Sequence, residues 1–307
     1  MRILIVGCGA VGSLFAAHLA KAGEAEIWAY DVWKEHTDAI RNHGLRLSGA
    51  AELTVKLHAT SDPKQLPHCD YGIFATKAIH TKQAIAQTAH AFDESSAVCS
   101  VQNGVGNEEI LAEHVKYIIR GTTFPAGHPI APGHIGYDIK GDTWIGPFEP
   151  TKTPMTRVEE LAGLMTRSGM NTVALKDARG AQWTKLIFNA STNPVGALTL
   201  LHHGAATRFS PTGTLFNDLI AEGEAVAKAL GIELHGDPRQ LVQKGANAPG
   251  KHRASMLQDV LAKRQTEVDF MNGAIVKWGE QAHVPTPLNR ALWELIKGLE
   301  HSWIDPD

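Results

Sequence analysis

The chain has 307 residues, 29 of them Lys or Arg and 32 Asp or Glu, for a formal net charge of −3. That length suits about two domains, and a hydrophobic content of 43% is enough for a sizeable core. With no basic excess, no nucleic-acid partner is expected.

Residues 3–6 form a short continuous apolar run, the pattern of a strand buried on both faces of a parallel sheet. One Arg precedes the run and glycines follow it, so it reads as a first strand and not as a secretion signal. It leads into Gly7-Cys8-Gly9-Ala10-Val11-Gly12, an intact G-x-G-x-x-G. Helical period then runs from Val11 through Leu14, Phe15 and Leu19 to Gly23. A second strand follows at Glu26–Tyr30 and ends at Asp31. Strand, glycine turn, helix, strand and an acid about 20 residues on make up a dinucleotide-binding unit. Gly7 makes the tight turn, Gly9 admits the pyrophosphate, and Gly12 lets the helix pack on the strand. Cys8, Ala10 and Val11 complete the cofactor-binding turn, and the helix N-terminus presents N–H groups to the phosphates.

Asp31 sets the expected cofactor. A carboxylate at the end of the second strand can accept both adenosine ribose hydroxyls. Next to a 2′-phosphate it would cost about 4 kcal/mol at about 4 Å and an effective dielectric of about 20. NAD is therefore expected over NADP, with NADP possible because Lys34 offsets part of the repulsion. The competing reading is that Asp31 caps a helix beginning near Trp33.

The alternation continues. Strands are expected at 44–57 (one or two), 71–75, 97–101 and 117–119, with helices at 79–92 and 107–114, the rhythm of an open, doubly wound sheet. Ligands bind at the carboxyl ends of such strands. Thr76-Lys77 and Gln102-Asn103-Gly104-Val105-Gly106 stand there with the first glycine turn. Lys77 reads as a cofactor ligand or a surface residue at a strand end. Asn103 reads as a nicotinamide-facing residue or a turn residue with positive φ. Residues 121–148, rich in Gly, Pro and Thr, read as antiparallel strands finishing the sheet. A helix at 154–167 and a last strand at 172–174 follow. From Ala178 the period is helical, with helices at 215–230, 256–263, 268–283 and 288–300. The expected organisation is a Rossmann-type α/β domain over 1–177 and a mostly helical substrate and dimerisation domain over 178–307. Apolar positions such as Phe270, Ile275 and Trp278 would need cover, from a homodimer partner or from their own domain.

The segment 183–196, WTKLIFNASTNPVG, spaces Lys185, Asn189 and Asn193 four residues apart, which stacks them on one helix face. A cation and two amides so aligned can meet a small polar ligand. Pro194 is expected to end or kink that helix. Sixteen histidines are scattered without HExxH or a paired-cysteine pattern. His202 and His203 are adjacent and would face apart on a helix, so no metal site is expected. Three cysteines (Cys8, Cys69, Cys99) do not make a disulfide framework and fit a reducing, cytoplasmic setting. No apolar run reaches the roughly 18 residues of a membrane span.

Together these residues resemble the ketopantoate reductase family. The resemblance is carried by GCGAVG at 7–12, Lys77, QNGVG at 102–106, GTT at 121–123, W-x-K-L-x-x-N-x-x-x-N-P at 183–194, SMLQD at 255–259 and EVDFMNG at 267–273. It covers essentially the whole chain. It implies reduction of 2-dehydropantoate to (R)-pantoate by a nicotinamide cofactor, a step of pantothenate biosynthesis. Lys185 is then the proton donor and Asn189 and Asn193 contact the substrate. Ser255 binds its carboxylate, and Glu267 positions cofactor and substrate. From the residues alone, Glu267 would pair with Lys263 or Arg264. Two positions depart from the family: Asp31 stands where NADP-using members carry a basic residue, and His252 where familiar members have a substrate-facing asparagine. Both point toward relatives that act as NAD-dependent D-2-hydroxy acid dehydrogenases on bulkier substrates, although His252 reads equally as a surface residue of a loosened loop. A redox sensor that holds NAD(H) without turnover is the alternative of another class. A pure sensor needs no proton donor, so Lys185 argues against it.

Overall fold

The computed structural model describes residues 1–247 and 253–305. His252 lies outside the described residues. The chain divides into two compact units: residues 1–102 with 107–178, and residues 103–106 with 179–307.

The first unit is built on an eight-stranded sheet. Its strands are β1 (Arg2–Val6), β2 (Glu26–Tyr30), β5 (His58–Thr60), β6 (Tyr71–Phe74), β7 (Ala97–Ser100), β8 (Tyr117–Thr123), β11 (Thr143–Pro147) and β12 (Thr172–Ala174), with β3 (Leu45–Gly49), β4 (Leu53–Val55), β9 (Ala126–Ala131) and β10 (His134–Ile139) set apart. The order across the sheet is β12-β11-β8-β7-β6-β1-β2-β5. All neighbours are parallel except β8 with β11. Every residue of β6 and β7 is buried, as a central strand with helices on both faces requires. One face packs under α1 (Ala10–Ala22) and α5 (Met155–Arg167). The other packs under α3 (Thr81–Thr88) and α4 (Asn107–Ala112), and α2 (Lys34–His43) flanks β5. Chain order reverses between β1 and β6, which places the topological switch point beside the first glycine turn.

Residues 121–148 depart in part from expectation. β11 does join the sheet antiparallel to β8, with β12 beyond it at the edge. β9 and β10 leave it and join β3 and β4 in a separate four-stranded sheet of order β4-β3-β10-β9, with β10 parallel to β3. The reason is long-range: Ile135 and Tyr137 of β10 bury with Leu45 and Leu47 of β3 in the core beneath α1.

The second unit is helical: α6 (Arg179–Thr199), α7 (His203–Arg208), α8 (Ser210–Ala229), α9 (Pro238–Ala246), α10 (Ser255–Leu261), α11 (Asn272–Gln281) and α12 (Pro287–His301). Its core gathers Trp183, Ile187, Phe216, Ile220, Ile275 and Ile296. It also takes in Val105, although that residue follows β7 in the chain. Ile275 is fully buried there and Trp278 packs against the same core.

α6 does not end at Pro194, although an end there was one of the two outcomes expected of the proline. A proline removes the N–H that would bond the carbonyl four residues back. Here that carbonyl, Ala190 O, accepts instead from Asn272 Nδ2 at 2.9 Å. A side chain 82 positions away replaces the lost bond, and the helix runs five residues beyond the proline.

Candidate active site

At the carboxyl end of β1, Gly7 has φ +86°, and a Cβ there would fall 2.5 Å from the Thr76 amide nitrogen. A Cβ on Gly12 would overlap the Gly7 carbonyl oxygen, so α1 rises directly from the turn. Gly9 differs: its φ is negative, and a Cβ would meet nothing within 4 Å. Neither strain nor packing in this unit calls for glycine at that position, whereas close approach of a ligand does. The N-terminus of α1 carries no side-chain cap and no acid in its first turn. Its N–H groups and dipole therefore suit an anion. Ala10 and Val11 are partly exposed. The Cys8 side chain is buried in the core, its thiol pushed up to about 12 by burial, so only its backbone is available to a ligand. Ser13 Oγ donates to Cys8 O at 2.8 Å and holds the turn from behind.

Asp31 follows β2 and is partly exposed. Its Oδ1 accepts the Trp33 amide at 2.8 Å. That bond makes a local turn and does not cap α2, whose N-cap is Trp33 with no side-chain cap bond, contrary to the competing reading. It orients the carboxylate without using its second oxygen. Lys77 is partly buried just past β6. Gln102, which the sequence reading did not single out, is buried and donates to Thr76 O, Thr76 Oγ1 and Thr81 Oγ1 at 3.1, 2.9 and 2.7 Å. It ties the ends of β6 and β7 together at the ligand edge.

In the second unit Lys185 and Glu267 meet at Asn103. Positive φ falls on Gly104 and Gly106, at +84° and +111°, and not on Asn103. A Cβ on Gly104 would overlap Phe270 O, so only glycine lets this segment lie against residues 266–270. Val105 N donates to Phe270 O at 3.1 Å and Gln182 Nε2 to Gly104 O at 3.3 Å, which fixes it further. Asn103 thereby joins two charged groups. Lys185 Nζ donates to its Oδ1 at 2.8 Å, and its Nδ2 donates to Glu267 Oε2 at 3.2 Å. Glu267 is buried. Arg264 pairs with Asp259 at 3.1 Å, not with Glu267.

Burial lowers the Lys185 ammonium to about 8, and the Glu267 carboxylate opposes part of that fall. Asn189 and Asn193 follow on the same helix at four-residue spacing, 8% and 6% exposed. Asn193 Nδ2 lies 3.7 Å from Met271 Sδ. Ser255 begins α10 and is exposed, as is Arg253. Among the described residues no group of three or more His, Cys, Asp or Glu is placed to hold a metal, and no helix is long and apolar enough to cross a membrane.

A doubly wound sheet with an open glycine turn, and a buried lysine of lowered pKa tied to a carboxylate, define a nicotinamide-dependent oxidoreductase. The comparisons agree. The family described as ketopantoate reductase PanE/ApbA matches residues 3–150, and its C-terminal counterpart matches residues 177–300. A 2-dehydropantoate 2-reductase of Archaeoglobus fulgidus is 32% identical over 299 residues, covering 97% of this chain and 98% of that protein. A PanE/ApbA family ketopantoate reductase structure from Ralstonia eutropha JMP134 superimposes with a TM-score of 0.88 at 30% identity, over 98% and 99% of the two chains. D-mandelate dehydrogenase with NADH and anilino(oxo)acetate gives a TM-score of 0.89 at 26% identity, over the same shares. The chain belongs to the ketopantoate reductase family.

Proposed function

We propose that the protein reduces the ketone of a 2-oxo acid, most like 2-dehydropantoate to (R)-pantoate, with Lys185 as proton donor. The observation that carries this is the Lys185–Asn103–Glu267 chain. A nicotinamide cofactor, when bound at the glycine turn, supplies the hydride. Charge then builds on the ketone oxygen, and Lys185 stabilises it and transfers a proton from Nζ. With its pKa near 8, Lys185 is mostly charged at neutral pH yet acidic enough to give up that proton. An ammonium carries three donors, so Lys185 can hold Asn103 and a substrate oxygen together. Glu267 keeps Asn103 oriented with its carbonyl toward Lys185. Asn189 and Asn193 offer donors and acceptors to the substrate hydroxyl and carbonyl oxygens, and Ser255 with Arg253 suits its carboxylate. In unit 1, Gly7–Gly12, Asp31 and Lys77 are the proposed cofactor ligands.

A second reading has its own support. Asp31 offers a carboxylate oxygen beyond the one held by the Trp33 amide, which suits ribose hydroxyls and repels a 2′-phosphate. With D-mandelate dehydrogenase among the similar structures, this favours NAD and an NAD-dependent D-2-hydroxy acid dehydrogenase acting on a bulkier acid. Following NADH and NADPH absorbance with 2-dehydropantoate, phenylglyoxylate and branched 2-oxo acids separates the readings. Preference for 2-dehydropantoate supports a place in pantothenate biosynthesis, and preference for phenylglyoxylate with NADH supports the second reading. Cofactor binding with no turnover on any acid would sink both and favour a sensor. Higher kcat/KM with NADPH would overturn the role given to Asp31. Free, buried Cys8, Cys69 and Cys99 fit a reducing cytoplasm, and exposed Leu200, Phe209 and Leu261 fit a homodimer, which light scattering would check.

A further inference from the structure

We infer that Glu300, in the last turn of α12, is a positioning residue for Glu267 and acts through Thr266. This rests on reading Glu267 as part of the site. Glu300 Oε1 accepts both from the Thr266 amide at 2.8 Å and from Thr266 Oγ1 at 2.6 Å. Thr266 Oγ1 in turn accepts the Val268 amide at 3.2 Å. The backbone on both sides of Glu267 is therefore tied to one buried carboxylate. The other oxygen of Glu300 pairs with Lys297 Nζ at 3.2 Å, and the same ammonium reaches Asp269 Oδ2 at 2.9 Å. Asp269 Oδ1 accepts from Trp293 Nε1 at 2.7 Å. Residues 266, 268 and 269 are thus fixed around residue 267, and Phe270 O docks the same loop on Val105, two residues past Asn103.

The placement of Glu300 is unfavourable on its own helix. An acid in a last turn opposes the helix dipole, and a buried carboxylate costs free energy unless it is fully bonded. Thr266 and Lys297 compensate locally. What they hold is the loop that carries Glu267. A drift of about 1 Å there breaks the 3.2 Å bond from Asn103 and with it the orientation of the amide facing Lys185.

The test is steady-state reduction by the full-length enzyme with NADH and 2-dehydropantoate, or phenylglyoxylate if that proves the better substrate. Glu300→Ala is expected to lower kcat by about tenfold or more, with KM for NADH within about twofold. The alkaline limb of its kcat–pH profile is expected to move to lower pH, because Lys185 loses the carboxylate that favours its charged form. Glu300→Gln keeps an acceptor for Thr266 and is expected to restore both. Where Glu300→Ala does not fold, Thr266→Val against Thr266→Ser decides by the same criteria. An unmoved alkaline limb in Glu300→Ala, or no rescue by Glu300→Gln, overturns the inference. Glu267→Gln run alongside separates the two levels: a crippled Glu267→Gln beside a wild-type Glu300→Ala removes Glu300 alone. A wild-type Glu267→Gln removes the reading of Glu267 and the inference with it.

Discussion

Lys185 is held between two opposing forces. Burial disfavours its charge, and Glu267, linked through Asn103, favours it. Ketone reduction needs the protonated form, so kcat in that direction should be level at neutral pH and fall above about pH 8; oxidation of the hydroxy acid should show the opposite slope. A pH–rate profile that stays flat to pH 10 would remove Lys185 as the acid. Lys185→Ala should cost kcat about 10²–10⁴-fold while leaving NADH affinity nearly intact, as measured by fluorescence titration. The same depressed pKa has a consequence for stability. A lysine whose folded pKa lies below its unfolded value of 10.5 destabilises the fold while charged, and that cost is relieved as pH rises from about 8 to 10.5. Lys185→Met should therefore raise stability at pH 7 by about 1–3 kcal/mol while abolishing turnover, seen as a higher urea midpoint. An unchanged or lower midpoint would show that the ammonium is not strained by burial. Lys185 and Asn189 were legible in the sequence because helical spacing is local. The part played by Asn103 was not: its partners lie 82 and 164 positions away, and only the fold brings them together.

At the scale of elements, α6 carries the site past a proline because α11 supplies the missing donor. Asn272 is fully buried and its Nδ2 also reaches Asn289 Oδ1 at 3.0 Å. Replacing it with leucine should leave the Ala190 carbonyl without that bond and destabilise the protein by about 1–3 kcal/mol. Adding Pro194→Ala should recover part of that loss, since alanine restores the helical N–H. A double-mutant cycle in urea measures the coupling, and strict additivity would show that the two residues do not serve the same carbonyl. The sequence argument had Pro194 end or kink α6 because it weighed only the local cost of the proline. It likewise assigned β9 and β10 to the main sheet, since alternation reports that a strand exists and not which strand it pairs with.

For the whole molecule, the glycine turn offers a readout that does not depend on turnover. Saturating NADH at about 100 times its Kd should stabilise the folded protein by about 2.7 kcal/mol through linkage alone. Gly9→Val should abolish that gain with little loss of stability in the free protein, because a Cβ there would meet nothing within 4 Å. NADH protection that survives in Gly9→Val would place the cofactor elsewhere. The sequence by itself determined the dinucleotide-binding unit, the helical character of the second half and the face shared by Lys185, Asn189 and Asn193. Each of these is written in short-range periodicity and in residue types with one dominant use. The tertiary structure decided the separate four-stranded sheet, the continuity of α6 through Pro194, and the grouping of Asn103, Lys185 and Glu267. Those depend on contacts between residues far apart in the chain, whose free energy no local pattern encodes.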